Sequence, residues 1–234
     1  MGLLEEQGLF MAGKVLSFDK PLNWTSFNLV NKVRVLLKVH LNIKKIKVGH
    51  AGTLDPLATG LLIICTGKAT KKIQQFQDLK KEYIATIVLG KTTPSFDLET
   101  EVDKVFDLSG IVESQVKEAL AQFVGDIQQV PPLFSAKNIN GQRAYDLARR
   151  GVVKELAPNK VTIEEIELLE YNLPEIKIKV RCGKGTYIRS LARDIGDKLE
   201  NGAYLSKLIR TKIGDYEVDN AWEIKKFEDS LKML

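Results

Sequence analysis

The chain has 234 residues, 44% of them hydrophobic and 28% charged, with a net charge of +5, the make-up of an ordinary globular protein able to bury about 70–75% of its unfolded surface. Its longest apolar run, Leu61–Cys65, is too short to cross a membrane, and Glu5 and Glu6 stand where a secretory leader needs basic residues. Two cysteines and two histidines leave no disulfide framework and no Cys/His zinc site, so a reduced, cytoplasmic protein without metal is expected.

In chain order, residues 1–12 read as a loose lead-in, and Lys14–Phe18 as a first strand ending at the turn Lys20-Pro21. Thr25 or Ser26 can cap a helix in which Phe27, Val30, Val33 and Leu37 recur at helical spacing. Residues 49–60, with three glycines and a proline, form a shaped loop, and Leu61–Cys65 is a buried strand. A helix over Ala69–Leu79 and a strand over Glu82–Leu89 follow. Glu113–Phe123 is a helix with Val116, Leu120 and Phe123 on one side; after Pro131-Pro132 comes a loop and then a basic helix, Gln142–Arg150. Lys160–Glu170 and Glu175–Arg181 alternate as an antiparallel pair, Tyr187–Leu199 is helical, Leu205–Lys212 a strand, and Trp222–Leu231 a last helix. Long alternating strands without a regular βαβ rhythm predict an α+β fold on a mixed, mainly antiparallel sheet.

Basic residues are clustered. Lys32, Arg34, Lys38, Lys44, Lys45 and Lys47 have no acid among them, and Lys68, Lys71, Lys72, Lys80 and Lys81 follow with only Asp55 and Asp78 intervening. Such clustering suits either a phosphate-attracting face or a solvated helix surface.

The glycine-rich loop invites a nucleotide-binding reading, which fails. Gly67-Lys68 has Leu62 where a Walker loop needs glycine and Ala69 where it needs Ser or Thr, and Gly183-Lys184-Gly185 meets Ile188 at the place of a third dinucleotide-binding glycine. What the loop does present is one acid, Asp55, held between Leu54 and Pro56. Proline biases the preceding residue toward extended backbone, and the glycines let main chain approach a ligand. A rigid carboxylate of this kind serves nucleophilic or general-base catalysis; an Asp-Pro turn bonded to its own backbone is the other reading of these residues.

The run Gly49-His50-Ala51-Gly52-Thr53-Leu54-Asp55-Pro56-Leu57-Ala58-Thr59-Gly60 closely resembles the signature of the TruB family of tRNA pseudouridine synthases. Four further segments resemble that family in the same order: Asp19-Lys20-Pro21 with Thr25-Ser26; Lys81-Glu82-Tyr83; Pro131-Pro132 with Ser135-Ala136 and Gly141-Gln142-Arg143-Ala144-Tyr145; and Gly183-Lys184-Gly185-Thr186-Tyr187-Ile188-Arg189. The resemblance implies a pseudouridine synthase domain over 13–234, with a thumb-like RNA-binding segment near 125–152. It implies a reaction without cofactor or metal, the isomerisation of a T-loop uridine in transfer RNA after base flipping.

By this resemblance Asp55 is the catalytic carboxylate, and whether it attacks uracil carbon 6, attacks the sugar anomeric carbon or removes a sugar proton stays open. All three routes need it ionised. Arg189 pairs with the acid, Tyr83 stacks on the uracil, and Leu208 lines the pocket. His50 fills the space the flipped base leaves, and Asp97 lies near that nucleotide. Lys137, Arg143, Arg149 and Arg150 contact phosphates of the tRNA T-arm, which is recognised by shape as much as by sequence. Two departures stand out: Asn138 replaces the lysine usual after Ser-Ala, and Gly183 replaces a small hydroxyl residue. With about twenty residues after Ile213, no carboxy-terminal PUA domain is expected. A monomer acting without guide RNA is implied; an RNA-folding protein and a guide-dependent catalytic subunit are the alternatives.

Overall fold

A computed structural model describes residues 3–134 and 156–233, together with the backbone of 138–139 and 142–143. The chain forms two compact units, one built from 1–83 and 209–234 and the other from 84–208. The fold is α+β as expected: six α-helices among the described residues, with mainly antiparallel strands.

The first unit holds helix α1 (Leu3–Gly13), strand β1 (Val15–Lys20), helix α2 (Ser26–His40), strands β2 (Val48–His50) and β3 (Ala58–Thr66), and the short helix α3 (Ile73–Asp78). β3 pairs antiparallel with β1 on one edge and with β2 in the register Val48↔Thr66 to His50↔Ile64. Because side chains alternate along a strand, β3 divides its apolar residues between two cores. Leu62 and Ile64 join Phe18, five apolar residues of α2 (Leu29, Val30, Val33, Leu36 and Leu37) and Phe227; Leu61, Ile63 and Cys65 pack with Phe76, Leu79 and Tyr216. Each such side chain, fully buried, contributes about 1.5–3 kcal/mol.

Thr25, not Ser26, caps α2: its hydroxyl accepts from Asn28 N at 3.0 Å, and Asn28 Oδ1 accepts from Thr25 N at 2.8 Å. Phe27, expected on the apolar stripe, is 59% exposed. The amino-terminal segment expected to be loose is instead helix α1. Phe10 is buried against Phe227 with ring centroids 6.4 Å apart, and Thr66 Oγ1 donates to Phe10 O at 3.0 Å. Its apolar residues lie all round the helix, with Leu3, Leu4, Leu9 and Met11 exposed, so no one-sided stripe marks it in sequence.

The second unit begins within β4 (Lys81–Leu89) and ends within β12 (Ala203–Ile213). Between these lie the small ladder of β5 (Lys91–Thr92) and β6 (Lys104–Val105), helix α4 (Glu113–Ala121), β7 (Gly125–Gln129), β8 (Asn138–Ile139), β9 (Gln142–Arg143), β10 (Asn159–Asn172), β11 (Glu175–Cys182) and helix α5 (Ile188–Lys198). The order of strands in this unit is β4-β11-β10-β7, and β10 and β11 form the antiparallel hairpin their alternation predicts. Gln142 and Arg143 pair with β8, correcting the basic helix expected to start there; the rest of that helix lies outside the described residues. After β12 come β13 (Tyr216–Glu217) and helix α6 (Ile224–Lys232), both in the first unit.

Helix α5 is pressed against the start of β12 at Gly196, where an added Cβ would lie 2.2 Å from Ala203 N and 2.4 Å from the Gly202 carbonyl carbon. Alanine favours a helix over glycine by about 1 kcal/mol, yet here it must push backbone aside. Gly196→Ala is expected to destabilise by about 1–3 kcal/mol, seen as a Tm lowered by about 2–4 °C per kcal/mol in thermal unfolding followed by circular dichroism. An unchanged or raised Tm would mean the helix is free to move away.

Candidate active site

The loop bearing Asp55 lies between β2 and β3, and its main chain is held residue by residue. Arg210, on β12, is 1% exposed; its guanidinium donates to Gly52 O at 3.2 Å, Thr53 O at 3.5 Å and Leu61 O at 2.8 Å. Ser26 Oγ accepts from Leu54 N at 2.8 Å and donates to Leu54 O at 3.2 Å. Asp55 O accepts from Ala58 N at 3.1 Å, and Pro56 O from Asn23 N at 2.8 Å and Lys20 Nζ at 3.5 Å. Every carbonyl from Gly52 to Pro56 therefore has a donor. Buried backbone groups left unpaired cost about 1–3 kcal/mol each, so the loop is set in one shape by complete pairing.

Lys20 is the second buried cation here, wholly shielded from solvent, and it also donates to Pro21 O at 2.9 Å and Trp24 O at 2.6 Å. Burial pushes its ammonium pKa down to about 8, opposed by the Asp55 carboxylate and helped by Arg210. At pH 7 it stays charged, as its three carbonyl partners require. Asp55 itself is half-buried, its charge lying within reach of Lys20. The His50 imidazole is held below its ordinary pKa by burial, with the Arg210 cation acting in the same direction and the Gly52 backbone against it, which favours a neutral ring.

In the second unit the structure brings Asp97 and Arg189 together, both buried, with Arg189 Nε 3.6 Å from Asp97 Oδ2. Asp97 Oδ1 accepts from Ser95 Oγ at 2.6 Å and from Glu99 N at 2.9 Å. Arg189 reaches the unit's main chain as well, donating to Phe134 O at 2.8 Å and Ser95 O at 3.4 Å. Phe96 between them takes φ of 63°, a left-handed conformation that costs about 1–3 kcal/mol; its carbonyl accepts from Leu205 N at 2.9 Å and its ring lies 4.7 Å from the Arg193 guanidinium. The arginine is thus fixed at both ends of its fork, as a charge meant to stay in one place must be.

Tyr83 is buried on β4, and its neighbour Glu82 accepts from Thr211 Oγ1 at 2.8 Å. Leu208 is half-buried on β12. Lys137, Arg149 and Arg150 lie outside the described residues, as does the side chain of Arg143. Of the basic cluster, Lys81 is not surface charge: it is buried and donates to Gln77 O and Leu79 O, closing the carboxy-terminal end of α3. Sequence reading missed Arg210, and quoted Lys20 only as part of a motif. The available signal was an arginine among apolar residues in an alternating strand: Arg210 is turned in while Ile209 is 41% exposed. Among the described residues no group of three or more His, Cys, Asp or Glu is placed to hold a metal.

Residues 38–188 match the model of the TruB family pseudouridylate synthase, N-terminal domain. A fixed carboxylate loop, a buried arginine and this match define a pseudouridine synthase. Similar proteins called tRNA pseudouridine synthase B include that of Phocaeicola vulgatus, 59% identical over 95% of this chain and 94% of its own, and that of Flavobacterium johnsoniae, 54% identical over 95% and 98%. That of Clostridium tetani is 44% identical over 88% of this chain and 70% of its own. The chain belongs to the TruB family. Among solved structures it resembles a chain of a Cbf5-Nop10-Gar1 complex, with 26% identity, a TM-score of 0.71, and coverage of 98% of this chain and 56% of that one. A chain of an H/ACA RNP bound to a substrate RNA containing 2'-deoxyuridine is similar at 26% identity and a TM-score of 0.67 over 97% and 55%. The chain therefore spans a little over half the length of these two.

Proposed function

We propose that this chain isomerises a T-loop uridine of transfer RNA to pseudouridine, acting in the cytoplasm as a monomer without guide RNA, with Asp55 as the catalytic carboxylate. The observation that carries the reading is the complete pairing of the Gly52–Pro56 carbonyls, which presents the Asp55 carboxylate from a loop with no conformational slack. Pre-setting a reacting group in this way lowers the barrier through orientation alone. The reaction rearranges one nucleotide internally and so needs no energy source, in keeping with the missing phosphate-binding motifs.

In this reading Arg189, oriented by Asp97, is the arginine that the family resemblance assigns to the catalytic acid, and Tyr83 stacks on the flipped uracil. A neutral His50 serves as a wedge, for which shape and stacking suffice. Leu208 lines the pocket, and Lys137, Arg143, Arg149 and Arg150 meet T-arm phosphates. The relatives called tRNA pseudouridine synthase B, at 54–59% identity over nearly their whole length, favour transfer RNA over a guided substrate. The test is to incubate the protein with unmodified transfer RNA and map pseudouridine by chemical sequencing. One product site in the T-loop, formed without added RNA, is expected; product at many sites, or only with a guide RNA, would overturn the reading.

A further inference from the structure

The geometry points to Arg210 as a positioning residue for Asp55, a role that rests on the proposed catalytic use of that carboxylate. Among the described residues, Arg210 is the side chain whose hydrogen bonds tie both arms of the catalytic loop: the incoming arm at Gly52 and Thr53, and the outgoing arm at Leu61. Its own backbone is seated as firmly. Gly60 lies against it with φ of 100°, where an added Cβ would come within 2.4 Å of Arg210 O and 2.8 Å of its N. The main chain of Arg210 thus fixes the strand that leaves the loop, while its side chain fixes the loop itself.

The chemistry requires arginine. Three carbonyls in different directions are met by Nε, Nη1 and Nη2 of one planar group, each nitrogen pointing where its geometry forces it. A lysine ammonium at the same place is a point charge on a flexible stem and cannot span Gly52, Thr53 and Leu61 together. Ser26 and Lys20 hold the loop from Leu54 onward, so losing Arg210 frees residues 52–53 while leaving the tip anchored. Such a change is expected to shift the Asp55 carboxylate by on the order of 1 Å rather than unfold the loop.

The experiment compares wild type, Arg210→Lys, Arg210→Ala and Asp55→Asn on unmodified transfer RNA, measuring single-turnover rate, RNA Kd and Tm. A misplacement on the order of 1 Å costs about a hundredfold in rate, so Arg210→Lys is expected to lose about that much with Kd within about threefold. Added ethylguanidinium should recover at least about tenfold of the rate lost by Arg210→Ala, because it refills the vacated fork. A wild-type rate in Arg210→Lys, or a rate loss that tracks a fall in the folded fraction and is not rescued, would overturn the assignment. Failure of either variant to fold would likewise make Arg210 structural. If wild type forms no pseudouridine, or Asp55→Asn keeps its activity, the proposed function fails instead, and the two failures are distinct.

Discussion

Asp55→Asn is expected to remove pseudouridine formation, by about 10⁴-fold or more, the scale seen when a reacting nucleophile is deleted. The substitution keeps volume and shape and removes the charge. The loop's main-chain bonds to Arg210, Ser26, Asn23 and Lys20 involve carbonyls and not the carboxylate, so they are expected to survive the substitution. Transfer RNA affinity, measured by filter binding, should therefore stay within about threefold. A loss beyond about tenfold, or 1.4 kcal/mol, would mark Asp55 as a structural Asp-Pro turn, the other reading its sequence allowed.

The second large effect is on Arg189. Arg189→Met leaves Asp97 buried as a carboxylate with only Ser95 Oγ and Glu99 N to receive its charge among the contacts described. Breaking a buried pair from one side costs about 3–5 kcal/mol, and urea denaturation should show it as a lower midpoint at unchanged slope. Asp97→Asn in the same chain removes the orphaned charge, so the double variant should recover about 1–3 kcal/mol relative to the sum of the single ones. On the proposed role of Arg189, catalysis is not expected to recover, since the positive charge is gone in both. Strict additivity would show that the 3.6 Å pair carries no mutual energy.

These expectations indicate what the sequence could disclose. Alternation exposed β10 and β11, and the proline and glycines around Asp55 exposed the loop, because both signals are local. Helix α1 escaped because its apolar residues form no stripe; its burial is decided by Phe227, far along the chain. Edge strand β7 escaped because Gly125–Gln129 is polar and short. Lys20, Lys81 and Arg210 were hidden for a shared reason. In sequence a Lys or Arg reads as solvent-facing, whereas each of these sits inside the fold: Arg210 answers carbonyls of a distant segment, Lys20 two nearby carbonyls and the distant Pro56 O, and Lys81 the carbonyls that end the helix just before it. Asp97 was expected near the flipped nucleotide, but its ion pair with Arg189 was not foreseen, since nothing local links the two.

The split make-up of the first unit has a consequence for how the protein is made. Phe227 is the hub of its aromatic cluster, touching Phe10, Phe18 and Trp222 at 6.4, 5.0 and 5.9 Å between ring centroids. During translation α1, β1 and α2 emerge early, but the residue that closes their core is among the late arrivals. The contiguous stretch 84–208 can close while the earlier residues still wait. If each unit folds once its residues have emerged, 84–208 is expected to close before the first unit, whose core waits for Phe227. A chain cut short of Phe227 is expected to leave the first unit's apolar core open, the kind of surface that chaperones and proteases recognise.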